Sequence, residues 1–160
     1  MRDFRCDCGS TVFFENTQCV TCGKALGWCG PCRAMTALSP GAYDTFQCGN
    51  AGCGARLVKC HNYAVEHVCN RCVFVADDFA GAAPLCNYCR YNDTIPDLAI
   101  AGNRELWARL ELAKRRLLHT LDLLSLPYGA RAAGSATTFR GQRAGEVLPG
   151  TGNEDGRDVS

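Results

Sequence analysis

A chain of 160 residues with 17 Lys/Arg and 16 Asp/Glu has room for one ordinary domain or a few very small ones, and its net charge of +1 excludes a strongly basic protein. No apolar run approaches the roughly 18 residues of a membrane span, and the start, Met1-Arg2-Asp3-Phe4-Arg5-Cys6, has no apolar signal region. The anomaly is cysteine: all 13 lie in the first 89 residues.

Cysteines two to five positions apart, with pairs separated by loops of roughly ten to twenty residues, are the sequence form of tetrahedral structural zinc sites. Up to Pro96 the apolar residues come in short bursts, such as Val12-Phe13-Phe14 and Val73-Phe74-Val75. That is too little for a normal core, and domains below about 40 residues usually need a metal, disulfides or a partner. Without a signal region the expected setting is a reducing cytoplasm, where such cysteines ligate metal rather than pair as disulfides.

In chain order, the first unit (residues 1–28) offers Cys6, Cys8, Cys19 and Cys22, with Thr11 to Phe14 as a short strand. Gly9 and Gly23 follow the two knuckles, where a residue without Cβ lets backbone N–H groups turn towards the thiolates. The second unit (29–59) opens on Trp28-Cys29-Gly30-Pro31-Cys32, which is also the redox motif of thioredoxins. No apolar strand precedes it and no βαβ frame surrounds it, so a thiol oxidoreductase using Cys29 and Cys32 is the weaker alternative. Cys48 and Cys53 complete a four-thiolate set, over which Met35, Leu38, Tyr43 and Phe46 are expected to pack.

The third unit (60–98) has five candidates: Cys60, Cys69, Cys72, Cys86 and Cys89. Spacing alone prefers Cys69/Cys72 with Cys86/Cys89 and leaves Cys60 spare; the other choice uses Cys60 and Cys69 and leaves Cys72 free. His61 and His67 read as polar surface rather than ligands, since thiolates suffice. Residues 1–100 hold 8 Lys/Arg and 9 Asp/Glu, so three four-thiolate zinc sites at about −2 each would take this region to about −7. Such a surface argues against nucleic acid.

Beyond Pro96 the composition changes. Asn103 offers an N-cap, and Arg104 to about Ser125 reads as a helix, the centre of a segment spanning 102–126. Leu106, Leu110, Ala113, Leu117, Leu121 and Leu124 form one apolar stripe, widened by Trp107 and Leu118, that needs burial on the ribbons, on a second copy or on something C-terminal, and otherwise docks to a protein partner. Glu111 and Arg115 are expected as an outward i,i+4 pair, and Lys114-Arg115-Arg116 as a solvated face. Residues 129–160, with seven glycines and few large apolar residues, read as a disordered tail.

Several stretches together resemble the N-terminal zinc-ribbon region of the bacterial zinc-binding metallopeptidases. They are Phe13-Phe14-Glu15-Asn16-Thr17, Ala25-Leu26-Gly27-Trp28, Cys60-His61-Asn62-Tyr63, Asn92 to Leu98, Leu106-Trp107, Ala113 to Leu118 and Leu126-Pro127-Tyr128-Gly129. In that family the Cys69 position is commonly followed by Asn-Trp with no counterpart of Cys72, which implies Cys60, Cys69, Cys86 and Cys89 as the third ligand set. The family also carries a peptidase domain with a His-Glu-x-x-His motif; His61, His67 and His119 form no such motif here.

The expectation is therefore a non-enzymatic protein of tandem zinc ribbons with short β hairpins, then one long amphipathic helix and a tail. Two to three structural zinc ions are its cofactors, and no small-molecule substrate is implied. The alternatives are the front part of a metallopeptidase and, more weakly, a nucleic-acid adaptor.

Overall fold

A computed structural model describes residues 3–76 and 81–128. The tail at 129–160 lies outside the described residues. A two-stranded hairpin comes first: β1 (Asp3–Arg5) pairs antiparallel with β2 (Thr11–Phe13), Phe4 opposite Val12. Phe4 and Val12 point inwards and their neighbours outwards, as the period-two alternation of a half-buried strand requires.

Five further strands make one antiparallel sheet in sequence order: β3 (Leu26–Cys29), β4 (Ala34–Pro40), β5 (Thr45–Cys48), β6 (Arg56–Lys59) and β7 (Cys72–Phe74). The sheet curls until its ends meet: Trp28 and Arg71 form a parallel bridge, and the Trp28 N–H donates to the Asn70 carbonyl at 2.8 Å. The expected boundaries at 28/29 and 59/60 thus fall within one continuous sheet, since β3 crosses the first and β6–β7 pairing spans the second. The short helix α1 (His61–Ala64) lies between β6 and β7, and a 3-10 turn covers Cys89–Tyr91.

Trp28 joins the hairpin to the sheet, with Phe4 and Phe14 edge-on at 5.7 and 5.5 Å between ring centres. Leu38 and the half-buried Phe46 pack in the cluster that holds Cys29 and Cys48, as expected. Met35 is buried instead with Trp28 and the hairpin's Phe4 and Val12, and Tyr43 is 80% exposed, because the turn after β4 places it at a positive φ of 53° pointing outwards.

Helix α2 (Asn103–Leu123) forms where expected, but it is rotated so that the flank of the expected stripe, Trp107 and Leu118, is buried and not its centre. Trp107, Glu111, Arg115 and Leu118 are buried, whereas Leu106, Leu110, Leu117 and Leu124 are 57–69% exposed. Polar partners on the body decide the orientation. Arg115 donates to the Asn70 side chain, Lys114 to the Asn92 side chain, and Glu111 Oε2 lies 3.9 Å from Cys89 Sγ. Within the helix Glu111 also accepts from Trp107 Nε1 at 3.2 Å and from Lys114 at 2.8 Å. Asn70 in turn donates to the Phe14 carbonyl at 2.6 Å. Within the Lys114-Arg115-Arg116 run, Arg115 is buried and Lys114 half-buried, while Arg116 is exposed as expected and pairs with Glu15; Arg104 pairs with Glu66. Asn103 is the first helical residue rather than the cap; its side chain donates to the Asp97 carbonyl, and Gly102 at φ 86° precedes it.

Candidate metal centres

Three groups of four cysteines converge, each with its sulfurs within 4.8 Å of one another. Cys6 and Cys8 come from the β1–β2 turn and meet Cys19 and Cys22 of the next turn. Gly9 (φ 88°) and Gly23 (φ 74°) close these two knuckles, with their N–H groups donating to the carbonyls of Cys6 and Cys19. Cys29 at the end of β3 and Cys32 after it meet Cys48 at the end of β5 and Cys53 in the following turn. Cys60 before α1, Cys69 after it, and Cys86 and Cys89 around the 3-10 turn make the third group.

Sulfur–sulfur distances within the groups are 3.7 Å for Cys6–Cys22 and Cys8–Cys19, 3.8 Å for Cys29–Cys53, 3.7 Å for Cys32–Cys48 and 3.9 Å for Cys69–Cys86. A tetrahedron with Zn–S bonds of about 2.3 Å has edges of about 3.8 Å, while a disulfide would need about 2.05 Å. The three groups are compatible with zinc ions.

Cys72 lies outside the third group, against the preference of spacing alone. As the first residue of β7 it pairs with Lys59, and its Sγ packs so close to Gly27 that a Cβ there would come within 2.5 Å. Burial pushes the Cys72 thiol up to about 12. The x₂ spacing is present, but strand geometry turns this thiol away.

Donors surround the thiols. Asn50 Nδ2 lies 3.1 Å from Cys32 Sγ, and the N–H groups of Arg71, Cys86 and Cys89 point at Cys69, Cys60 and Cys86 at 3.4, 3.3 and 3.4 Å. Such donors favour the thiolate form a metal requires. Cys8 is lowered to about 6, chiefly by the Ser10 side chain and backbone, and hydrogen bonds from Cys60 and Cys69 hold Cys86 low. Cys29, by contrast, is pushed up by burial, opposite to the low-pKa nucleophile of a dithiol oxidoreductase. His61 and His67 are exposed and belong to none of the groups. His119 stacks on Phe14 at 4.3 Å between ring centres.

A zinc-ribbon domain family matches residues 3–100. The chain belongs to this zinc-ribbon family. Curated relatives in Mycobacterium bovis and in two strains of Mycobacterium tuberculosis, all described as uncharacterized proteins, are 36% identical over 133 residues. The match covers 82% of this chain and 33% of each relative, so the chain spans about a third of their length. No solved structure matches it. Among the described residues no helix is long and apolar enough to cross a membrane.

Sequence reasoning missed the Arg115–Asn70, Lys114–Asn92 and Glu111–Cys89 contacts that seat α2. Their signal was a second periodic row, Trp107, Glu111, Arg115 and Leu118, beside the leucines.

Proposed function

We propose that this chain is a non-catalytic recognition module: the twelve grouped cysteines hold three zinc ions as fold determinants, and α2 presents a leucine row to a protein partner. Four thiolates close each coordination shell and leave no position for a substrate. The observation that carries the reading is the exposed row Leu106, Leu110, Ala113 and Leu117, at steps of four, three and four, with Leu124 one heptad further on. This is the spacing of a two-helix seam.

Arg109 and Arg116 border the row and are exposed. Two copies packed along it would set like charges side by side, which disfavours self-association. The partner that fits is a helix with a leucine face and Asp/Glu flanks. The pairing of Lys114, Arg115 and Arg116 with protein groups supports excluding nucleic acid, and the grouped thiols suit a reducing cytoplasm.

A synthetic amphipathic peptide of about four heptads, leucine at the seam and glutamate on its flanks, tests this. Saturable binding lost in Leu110→Asp/Leu117→Asp and weakened in Arg109→Glu is expected. No binding, or a dimer of the chain alone that the same double variant dissociates, would overturn it.

That the chain spans about a third of its relatives' length supports a second reading, that this region belongs to a longer protein. That the longer protein is a zinc metallopeptidase with this region at its front rests on the resemblance of the sequence alone. An intact mass of the native gene product far above that of 160 residues supports it; a mass matching 160 residues rejects it.

A further inference from the structure

A cavity of about 560 Å³ opens where β3 and β7 meet the C-terminal half of α2. Arg71 is part of its wall and is only 5% exposed, its guanidinium lying 3.7 Å from the Tyr88 ring centre and 5.3 Å from that of Trp28. Its Nε and Nη1 are buried without a hydrogen-bond partner. Asp122, the acidic residue in the same wall, accepts instead from the hydroxyls of Tyr88 and Tyr128. Among the described residues Arg71 forms no ion pair.

A buried guanidinium with unmatched N–H groups is costly, and an arriving anion relieves that cost. A zinc-loaded cysteine group nearby attracts the cation at long range but supplies no hydrogen bond to these atoms. Arg33 and Arg90 are exposed at the cavity and add positive charge, while Phe74, Leu85 and Leu123 give it an apolar wall. Arginine beside apolar surface in a cavity of this size is the arrangement that orients a small amphipathic ligand.

We propose that this cavity binds a carboxylate carried on an apolar body, the chemistry shared by a peptide C terminus and a free aryl or alkyl carboxylic acid. The carboxylate meets Arg71 with help from Arg33 and Arg90, and the body rests on the apolar wall.

The zinc-loaded full chain would be titrated calorimetrically with acetyl-Ala-Ala-Leu-Phe as the free acid, the same peptide as its C-terminal amide, and 3-phenylpropionate. Saturable binding of an acid is expected, with the amide about tenfold weaker or worse, since it lacks the charge that strengthens a guanidinium hydrogen bond. Arg71→Lys should weaken binding about tenfold by losing the planar fork. Arg90→Glu, a change at an exposed side chain, should weaken it several-fold at unchanged zinc content. A preference for the peptide identifies a chain terminus as the ligand, and a preference for phenylpropionate a free acid. Absence of saturable binding by either acid, equal binding of acid and amide, or indifference to both variants would overturn the proposal.

Discussion

Cys8 and Cys22 of the first group stand exposed on the turns of a small hairpin, whereas Cys60, Cys69, Cys86 and Cys89 of the third are all buried. The third group is tied to its surroundings at several points: Cys60 N–H donates to the Arg71 carbonyl at 2.9 Å, and Glu111 of α2 lies 3.9 Å from Cys89 Sγ. The same four-cysteine chemistry therefore does two jobs. At the periphery it pins a hairpin. At the centre it holds together the sheet end, α1 and α2, and any loss there propagates.

The largest expected effect sharpens this contrast. Cys86→Ser should abolish cooperative folding of the whole unit, because a structural zinc contributes apparent folding energy on the order of 10 kcal/mol. Cys8→Ser should release one zinc and loosen the hairpin while hydrogen exchange in β4–β6 stays protected. Equal loss of protection in both variants would erase the distinction.

The second effect tests the same division within α2. Glu111→Ala removes the partner of Trp107 Nε1 and Lys114 and should cost about 2 kcal/mol in chemical denaturation. Leu110→Ala should stay within about 0.5 kcal/mol, as for an exposed position. A larger loss for Leu110 would mean that the leucine row is the packed face after all.

The smallest concerns Cys72. With its thiol raised to about 12 by burial, it should resist iodoacetamide in the native protein at pH 8 and react only after unfolding. Because the folded value lies above the ordinary thiol value of 9.0, its influence on stability is flat below pH 9.0 and turns unfavourable as pH rises from there towards about 12. Rapid native alkylation at Cys72 would place it at the surface instead.

Much of this was legible in the residues, for identifiable reasons. Cysteine knuckles announce themselves by spacing, so the first two groups, three members of the third and the helix after Pro96 could be read directly. The face of α2 could not, because two periodic rows share one helix and hydrophobicity favours the leucines. Burial was decided by Asn70 and by the indole and carboxylate of Trp107 and Glu111, contacts that span up to 45 positions in sequence. The continuous sheet was hidden too: β4, buried without a break from Met35 to Leu38, lacks the alternation that marks a half-exposed strand. Spacing alone chose Cys72 over Cys60; the family resemblance implied Cys60, and the physical reason, the direction of β7, is one that spacing does not carry.

The central claim is that twelve thiols in three groups hold zinc, with Cys60 in and Cys72 out. Native mass spectrometry of the purified chain beside Cys60→Ser and Cys72→Ser tests it most directly. The account predicts three zinc ions in the unmodified chain and in Cys72→Ser, and at most two in Cys60→Ser. A Cys72→Ser variant that loses an ion, or an intact fold with at most one tightly bound zinc, would contradict it.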